Sequence, residues 1–228
     1  MTLLLIAATP REFHGILRQA SAVRRAAWPV NWCREATLGG HRVFLAAGGV
    51  GAARAARAVE TAPEADAVIS LGFCGALDPT LGPGDILVAT AVRSAEATFP
   101  ARLLYGACAY VSGSVWSAEQ VVRTAAEKAV LRAGGASVVE MEAAGVARAA
   151  LARSLPFACV KAVTDLAGED LATDFQAALR PDGDFDTMVV LRSSFRHPVA
   201  CVPELLRLRR RVGVAARQLG EFFADCRF

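Results

Sequence analysis

Three short stretches of this sequence place acidic side chains where chemistry can use them. Residues 9–12 read Thr-Pro-Arg-Glu, 139–144 read Val-Glu-Met-Glu-Ala-Ala, and 164–165 read Thr-Asp. Glu12 could deprotonate a water as a general base. Glu142 could take both hydroxyls of a vicinal diol, because two donors match the two oxygens of one carboxylate. A partly buried Asp165 could hold a proton and deliver it to a leaving group. Each stretch also has a plain structural use. Thr9, Pro10 and Glu12 spell a capping box with proline at the first helical position. Glu140 and Glu142 suit the positive end of a helix, and Asp165 suits a helix cap.

Glycines punctuate the same neighbourhoods. Gly48-Gly49-Val50-Gly51 follows a strand-like run, but Arg54 stands where a dinucleotide loop has its third glycine. No acidic residue follows in the ribose-binding position, so a tight turn that admits a small ligand is the better reading. Gly72-Phe73-Cys74-Gly75 ends another run and reads as a second loop. Trp116 follows Ser112-Gly113-Ser114-Val115 and is either core or a face on which a base can stack. His14, His41 and His197 are too scattered for a metal site or a triad. The six cysteines contain no CxxC pair. No metal or organic cofactor is expected, and reduced, mostly buried thiols suit a cytoplasmic protein.

The elements that must position these groups alternate between strand and helix, which predicts an α/β fold with a parallel or mixed sheet. Strands are expected at 3–8, 42–47, 67–71, 85–92, 110–111, 138–141 and 157–163. Helices are expected from 13, over 52–59, over 119–129, from 142 to about 152, over 187–195 and over 203–223. Residues 179–186 are polar and turn-rich. The stretches at 9–12, 72–75, 140–142 and 164–165 all fall beyond the carboxyl ends of strands, where open α/β sheets bind ligands.

At 228 residues and 54% hydrophobic, the chain suits one domain with a large core and argues against disorder. Its apolar runs are too short to span a bilayer, and Met-Thr-Leu-Leu-Leu-Ile reads as a first strand, not a signal peptide. A net charge of +3 gives no case for a nucleic-acid partner. The charge is uneven, because from residue 192 onward eight arginines face three acids and leave that tail at +5. Leu205, Leu208, Val212, Ala216, Leu219 and Phe223 share one helix face, with Arg207, Arg209, Arg210, Arg211 and Arg217 around the remainder. Such a basic helix either lies on an anionic membrane surface or docks on the core with solvated arginines.

Residues 139–144 together with 162–166 strongly resemble the nucleoside phosphorylase/nucleosidase superfamily. In order, 8–12, 72–75, 140–143 and 164–165 match motifs of its branch that hydrolyses 5′-methylthioadenosine and S-adenosylhomocysteine. The likeness covers about residues 3–175. It implies a three-layer fold with a mixed central sheet flanked by helices, forming one domain with a basic helical extension from about 187. It also implies a nucleoside as the small-molecule partner, and a homo-oligomer. By that resemblance Glu12 activates water, Asp165 protonates or hydrogen-bonds N7 of the departing purine, and Glu142 holds the ribose over Met141. Val115, Trp116 and Thr164 would contact the base, with Gly72, Phe73, Cys74 and Gly75 forming a site loop.

Phosphorylases of the superfamily bind phosphate through arginines and a serine of that loop. Phe73 stands at the serine position, which favours water as the nucleophile. Arg11, Arg54 and Arg93 are the remaining phosphate candidates. Residues 179–183, 190–193 and 196–198 resemble the tail of the hopanoid-associated branch, which removes adenine from adenosylhopane. Glu140-Met141-Glu142-Ala143, however, is closer to the methylthioadenosine pattern than to the Asp-Met-Glu-Ser form of that branch. The resemblance therefore implies a 5′-substituted adenosine, with adenosylhopane ahead of methylthioadenosine or S-adenosylhomocysteine. Phosphorolysis and a non-catalytic, storage-type role are the other readings.

Overall fold

The computed structural model describes residues 1–106, 108–173, 175–180, 183 and 198–227. Its strands are β1 (Thr2–Ala7), β2 (Ser21–Arg25), β3 (Trp32–Leu38), β4 (His41–Ala47), β5 (Ala67–Ala76), β6 (Ile86–Arg93), β7 (Thr98–Pro100), β8 (Val111–Ser117), β9 (Val138–Glu140) and β10 (Phe157–Asp165). The helices are α1 (His14–Gln19), α2 (Ala52–Glu60), α3 (Ala125–Ala133), α4 (Ala143–Ala152), α5 (Phe175–Ala178) and α6 (Pro198–Ala224), with a 3-10 turn at Pro10–Phe13.

The sheet runs β10-β6-β8-β9-β5-β1-β4-β3-β2, with β7 beside β6, and β10 pairs β5 as well. That last pairing closes β5, β10, β6, β8 and β9 into a ring, and β1, β4, β3 and β2 extend from it as an open wing. The sheet is mixed: β1 is parallel to β4 and β5, whereas β10 is antiparallel to β6.

Strand alternation sorts the core onto two faces. In β1, Leu4 and Ile6 join α2 and α4 on one face. Leu3, Leu5 and Ala7 join Phe13, Ile16 and the C-terminal helix on the other. Helices therefore flank the sheet as expected. They sit close, because glycines let backbones touch. A Cβ on Gly15 of α1 would run into the Ala216 carbonyl of α6, and one on Gly145 of α4 would run into that of Ala52.

Several segments depart from the sequence reading. Residues 72–75 are not a loop. They continue β5, paired to β10 at Gly72–Gly75 and to β9 at Gly75, so ladder bonds override the glycine punctuation. The strand expected at 110–111 runs on to Ser117, and the following helix starts at Ala125, where Thr124 and Glu127 form a capping box. The β3–β4 hairpin was not anticipated. Its turn, Gly39-Gly40, has positive φ at both residues, as a two-residue hairpin turn requires.

The C-terminal helix docks on the core. Ala215, Leu219, Phe222 and Phe223 are buried in the core, where the helix packs on α1, β5, β6 and β10. The expected helix at 187–195, and the tail block at 190–193 and 196–197, lie outside the described residues. No described helix is long and apolar enough to cross a membrane.

Candidate active site

A cavity of about 260 Å³ opens where β1, β5, β9 and β10 end. Its walls include Thr9, Glu12, Phe73, Cys74, Gly75, Glu140, Met141, Glu142, Thr164 and Asp165. Four carboxylates brought from three distant stretches of chain thus face one space. Apart from Gln120 the remaining wall is apolar, and it includes Val50, Val121, Val122, Leu171 and Phe175, with Leu208 and Val212 of α6.

Glu12 is buried and does two jobs. Its Oε2 accepts from the Thr9 amide (2.6 Å) and hydroxyl (3.1 Å), the capping box expected from sequence, while Oε1 accepts from the Phe73 amide (2.9 Å). The cap and the catalytic candidate are therefore the same group. Burial pushes its carboxyl above the usual range, against the pull of those amides and of Lys161. Gly72 has φ +144°, and a Cβ there would run into Glu12 Oε1. The glycine is what lets the carboxylate lie against β5.

Glu140 and Glu142 flank the N-terminus of α4, but differ in use. Glu140 accepts from the amides of Glu142 (3.0 Å) and Ala143 (2.9 Å) and pairs with Lys161 Nζ at 2.8 Å, both side chains about 1% exposed. Burial alone would lower the Lys161 ammonium, yet Glu140 and Glu142 hold its pKa above the ordinary value. Glu142 accepts from the Gly51 amide at 3.0 Å. Burial, then the Glu140 charge, pushes its carboxyl up to about 8. Gly51 has φ +110°, so the turn after β4 does bring a backbone amide to the site.

Asp165 ends β10. Its Oδ2 takes the Lys128 ammonium at 2.7 Å, and Oδ1 lies 3.2 Å from the Thr164 hydroxyl. A Cβ on Gly75 would come within 2.6 Å of Oδ2, so this glycine also clears room for a site carboxylate. Burial raises the Cys74 thiol well above its usual range, which keeps it neutral and unsuited to nucleophilic work.

Val115 and Trp116 do not line the cavity. Both lie within β8, where Val115 is fully buried in the core and Trp116 faces another cleft under the Arg93 guanidinium. The ladder, continuing through 117, holds Trp116 in the strand and away from this cavity. Val121 and Val122, a few residues further on, line the cavity. Sequence reasoning also missed Lys128, Lys161, Leu171 and Phe175. Both lysines had a signal: they are the only two in a chain with 23 arginines.

Residues 2–189 match the family model described as Phosphorylase superfamily. A 5′-methylthioadenosine/S-adenosylhomocysteine nucleosidase of Staphylococcus saprophyticus is 27% identical over 156 residues, covering 56% of this chain and 68% of that protein. The same-named enzyme of Neisseria meningitidis, solved with methylthio-immucillin-A, superposes with a TM-score of 0.70 at 20% identity, over 98% of both chains. A futalosine hydrolase mutant of Helicobacter pylori superposes with a TM-score of 0.68 at 15% identity, over 97% of this chain and 98% of that one. With the motifs in order, the carboxylates gathered at one strand-end cavity and more than half the sequence matched, this chain belongs to the phosphorylase superfamily.

Proposed function

We propose that the protein is a purine nucleosidase that hydrolyses a 5′-substituted adenosine and releases adenine. The observation that carries this reading is the acidity of the cavity. Glu12, Glu140, Glu142 and Asp165 line it, and no arginine or lysine does among the described residues. A phosphate dianion would meet carboxyl groups there and, among the described residues, no cation left over from pairing with them, since Lys128 and Lys161 are already engaged by Asp165 and Glu140. Water and a developing sugar cation need no such partner. Phe73 offers no side-chain donor. Arg11 is exposed, Arg54 bonds the Val50 carbonyl, and Arg93 lies over Trp116.

Each step has a group suited to it. Glu12, with its carboxyl raised toward the working range of a general base, takes a proton from water as the oxygen attacks C1′ of the ribose. The electron pair of the C1′–N9 bond passes to the base, and Asp165 gives its proton to N7. Glu142 binds the two ribose hydroxyls over Met141, while Thr164 lies beside the base. Burial and the Glu140 charge push the Glu142 carboxyl up to about 8, which favours its protonated form at neutral pH. The donors of a bound diol favour its ionised form and would release that proton.

The half-buried wall of Leu171, Phe175, Leu208 and Val212 supports an apolar 5′ substituent. It keeps adenosylhopane ahead of methylthioadenosine and S-adenosylhomocysteine as substrate. The test compares adenine release from methylthioadenosine and from an adenosine with a long alkyl 5′ substituent, each with and without phosphate. Release from both without phosphate, with higher kcat/KM for the alkyl compound, is expected. Strict dependence on phosphate would overturn hydrolysis. Preference for methylthioadenosine would overturn the lipid-like substrate, and binding without release would leave the storage reading standing.

A further inference from the structure

We infer that Lys128 is a positioning residue for leaving-group protonation: it locks Asp165 Oδ2 away from the base and meets the charge that Asp165 acquires on giving up its proton. This rests on the reading of Asp165 as the acid.

Lys128 is fully buried on α3, which touches the site through no other side chain. An ammonium out of water needs an acceptor for every proton. It has three: Asp165 Oδ2 at 2.7 Å, the Leu166 carbonyl at 2.7 Å and the Glu169 carbonyl at 3.3 Å. The arrangement reaches further than one ion pair. Asp170 Oδ1 accepts from the Ala125 amide at the start of α3 (2.7 Å), and the Leu171 amide donates to the Arg123 carbonyl (2.8 Å). From the opposite side, Arg211 of α6 grips Glu169 with two bonds of 2.6 and 3.0 Å. The loop after β10, which supplies Leu171 to the cavity wall, is thus held between α3 and α6, and Lys128 joins it to the acid.

Composition points the same way. The chain has 23 arginines and two lysines, and both lysines are buried against site carboxylates. Arginine serves at the exposed cationic positions. A compact ammonium with three converging donors stays where a planar guanidinium cannot meet three acceptors at one atom.

With Oδ2 engaged, Oδ1 is the oxygen left for N7. As the C1′–N9 bond breaks, the Oδ1–H bond breaks and an N7–H bond forms. The carboxylate so produced already has a cation at hydrogen-bond distance and needs no rearrangement. Glu12 gains the proton of the attacking water, and exchange with solvent afterwards restores both carboxyls.

The experiment compares two leaving groups on the full-length protein. One substrate is methylthioadenosine, whose adenine needs a proton to depart. The other is a 4-nitrophenyl riboside with the same 5′-methylthio group, whose phenolate leaves without one. Each variant is scored by the ratio of its two kcat values, so loss of folded protein cancels. For Asp165→Asn the ratio should fall by about a hundredfold or more, the usual range for general acid catalysis. For Lys128→Met it should fall at least about tenfold with KM little changed, and for Lys128→Arg by an intermediate amount.

A Lys128→Met ratio equal to wild type, beside a collapsed Asp165→Asn ratio, would overturn the role of Lys128 and leave the acid in place. An unchanged Asp165→Asn ratio would instead remove Asp165 as the acid. If Lys128→Met yields no folded protein, the Lys128→Arg ratio decides, and a wild-type value there refutes the inference.

Discussion

Replacing Glu142 by Gln tests the electrostatics of the site without changing its shape. In the folded protein the Glu142 carboxyl titrates near 8, against an ordinary value of 4.5. Between these two values the native state binds more protons than the unfolded chain, so stability falls as pH rises. The contribution is complete below 4.5, declines through the interval and is flat above about 8. At about 1.4 kcal/mol per pH unit, the step from pH 6 to pH 8 removes about 2 kcal/mol after allowing for partial ionisation of the native state.

The Glu142→Gln side chain carries no proton to lose, yet its amide oxygen can still accept from the Gly51 amide. The assay is the melting temperature of both proteins from pH 5 to pH 9 in one buffer series. For a chain of this length 1 kcal/mol moves Tm by about 2–4 °C. The variant's advantage should therefore grow by about 4–8 °C between pH 6 and pH 8, then stop growing. Parallel curves across that window would refute the account of Glu142 as a carboxyl kept neutral by burial and by Glu140.

Two other substitutions probe the packing that forms the cavity. Gly72→Ala sets a methyl against Glu12 Oε1 at a backbone φ of +144°, so kcat should fall at least about tenfold as Glu12 is displaced. Steady-state kinetics at a temperature where the variant is folded checks this, and an unchanged kcat would separate Glu12 from the reaction. Gly15→Ala drives a Cβ into the Ala216 carbonyl and must part α1 from α6, at a cost of about 3 kcal/mol as overpacking goes. Urea unfolding reads this directly, and a wild-type midpoint would contradict the docking of α6 on α1.

The acidic positions were legible in the sequence because strand ends announce themselves. Apolar runs at 3–8 and 157–163 stop at residues that cannot continue them, and Glu12 and Asp165 stand just there. The capping box was legible too, and it does not keep Glu12 from the cavity, since one carboxylate has two oxygens to share between Thr9 and Phe73. The strand's end was misread because local glycine and serine suggested that it stopped before Trp116. Pairing of β8 with β6 and β9, a non-local effect, carries the strand on to Ser117. The β2–β3 part of the wing was missed for a related reason: Ser21–Arg25 is exposed throughout, so no hydrophobic alternation marks it. The contribution of α6 to the site was half visible. Its apolar stripe was read correctly, but only the fold shows that Ala216, Leu219 and Phe223 face the core while Leu208 and Val212 face the cavity.

The central claim is that water, not phosphate, takes the ribose. Phosphorus NMR of the wild-type protein turning over methylthioadenosine in phosphate buffer tests it most directly. The account predicts that adenine accumulates while the inorganic phosphate signal keeps its full intensity and no sugar phosphate resonance grows in. A new sugar 1-phosphate signal rising in step with adenine would contradict it.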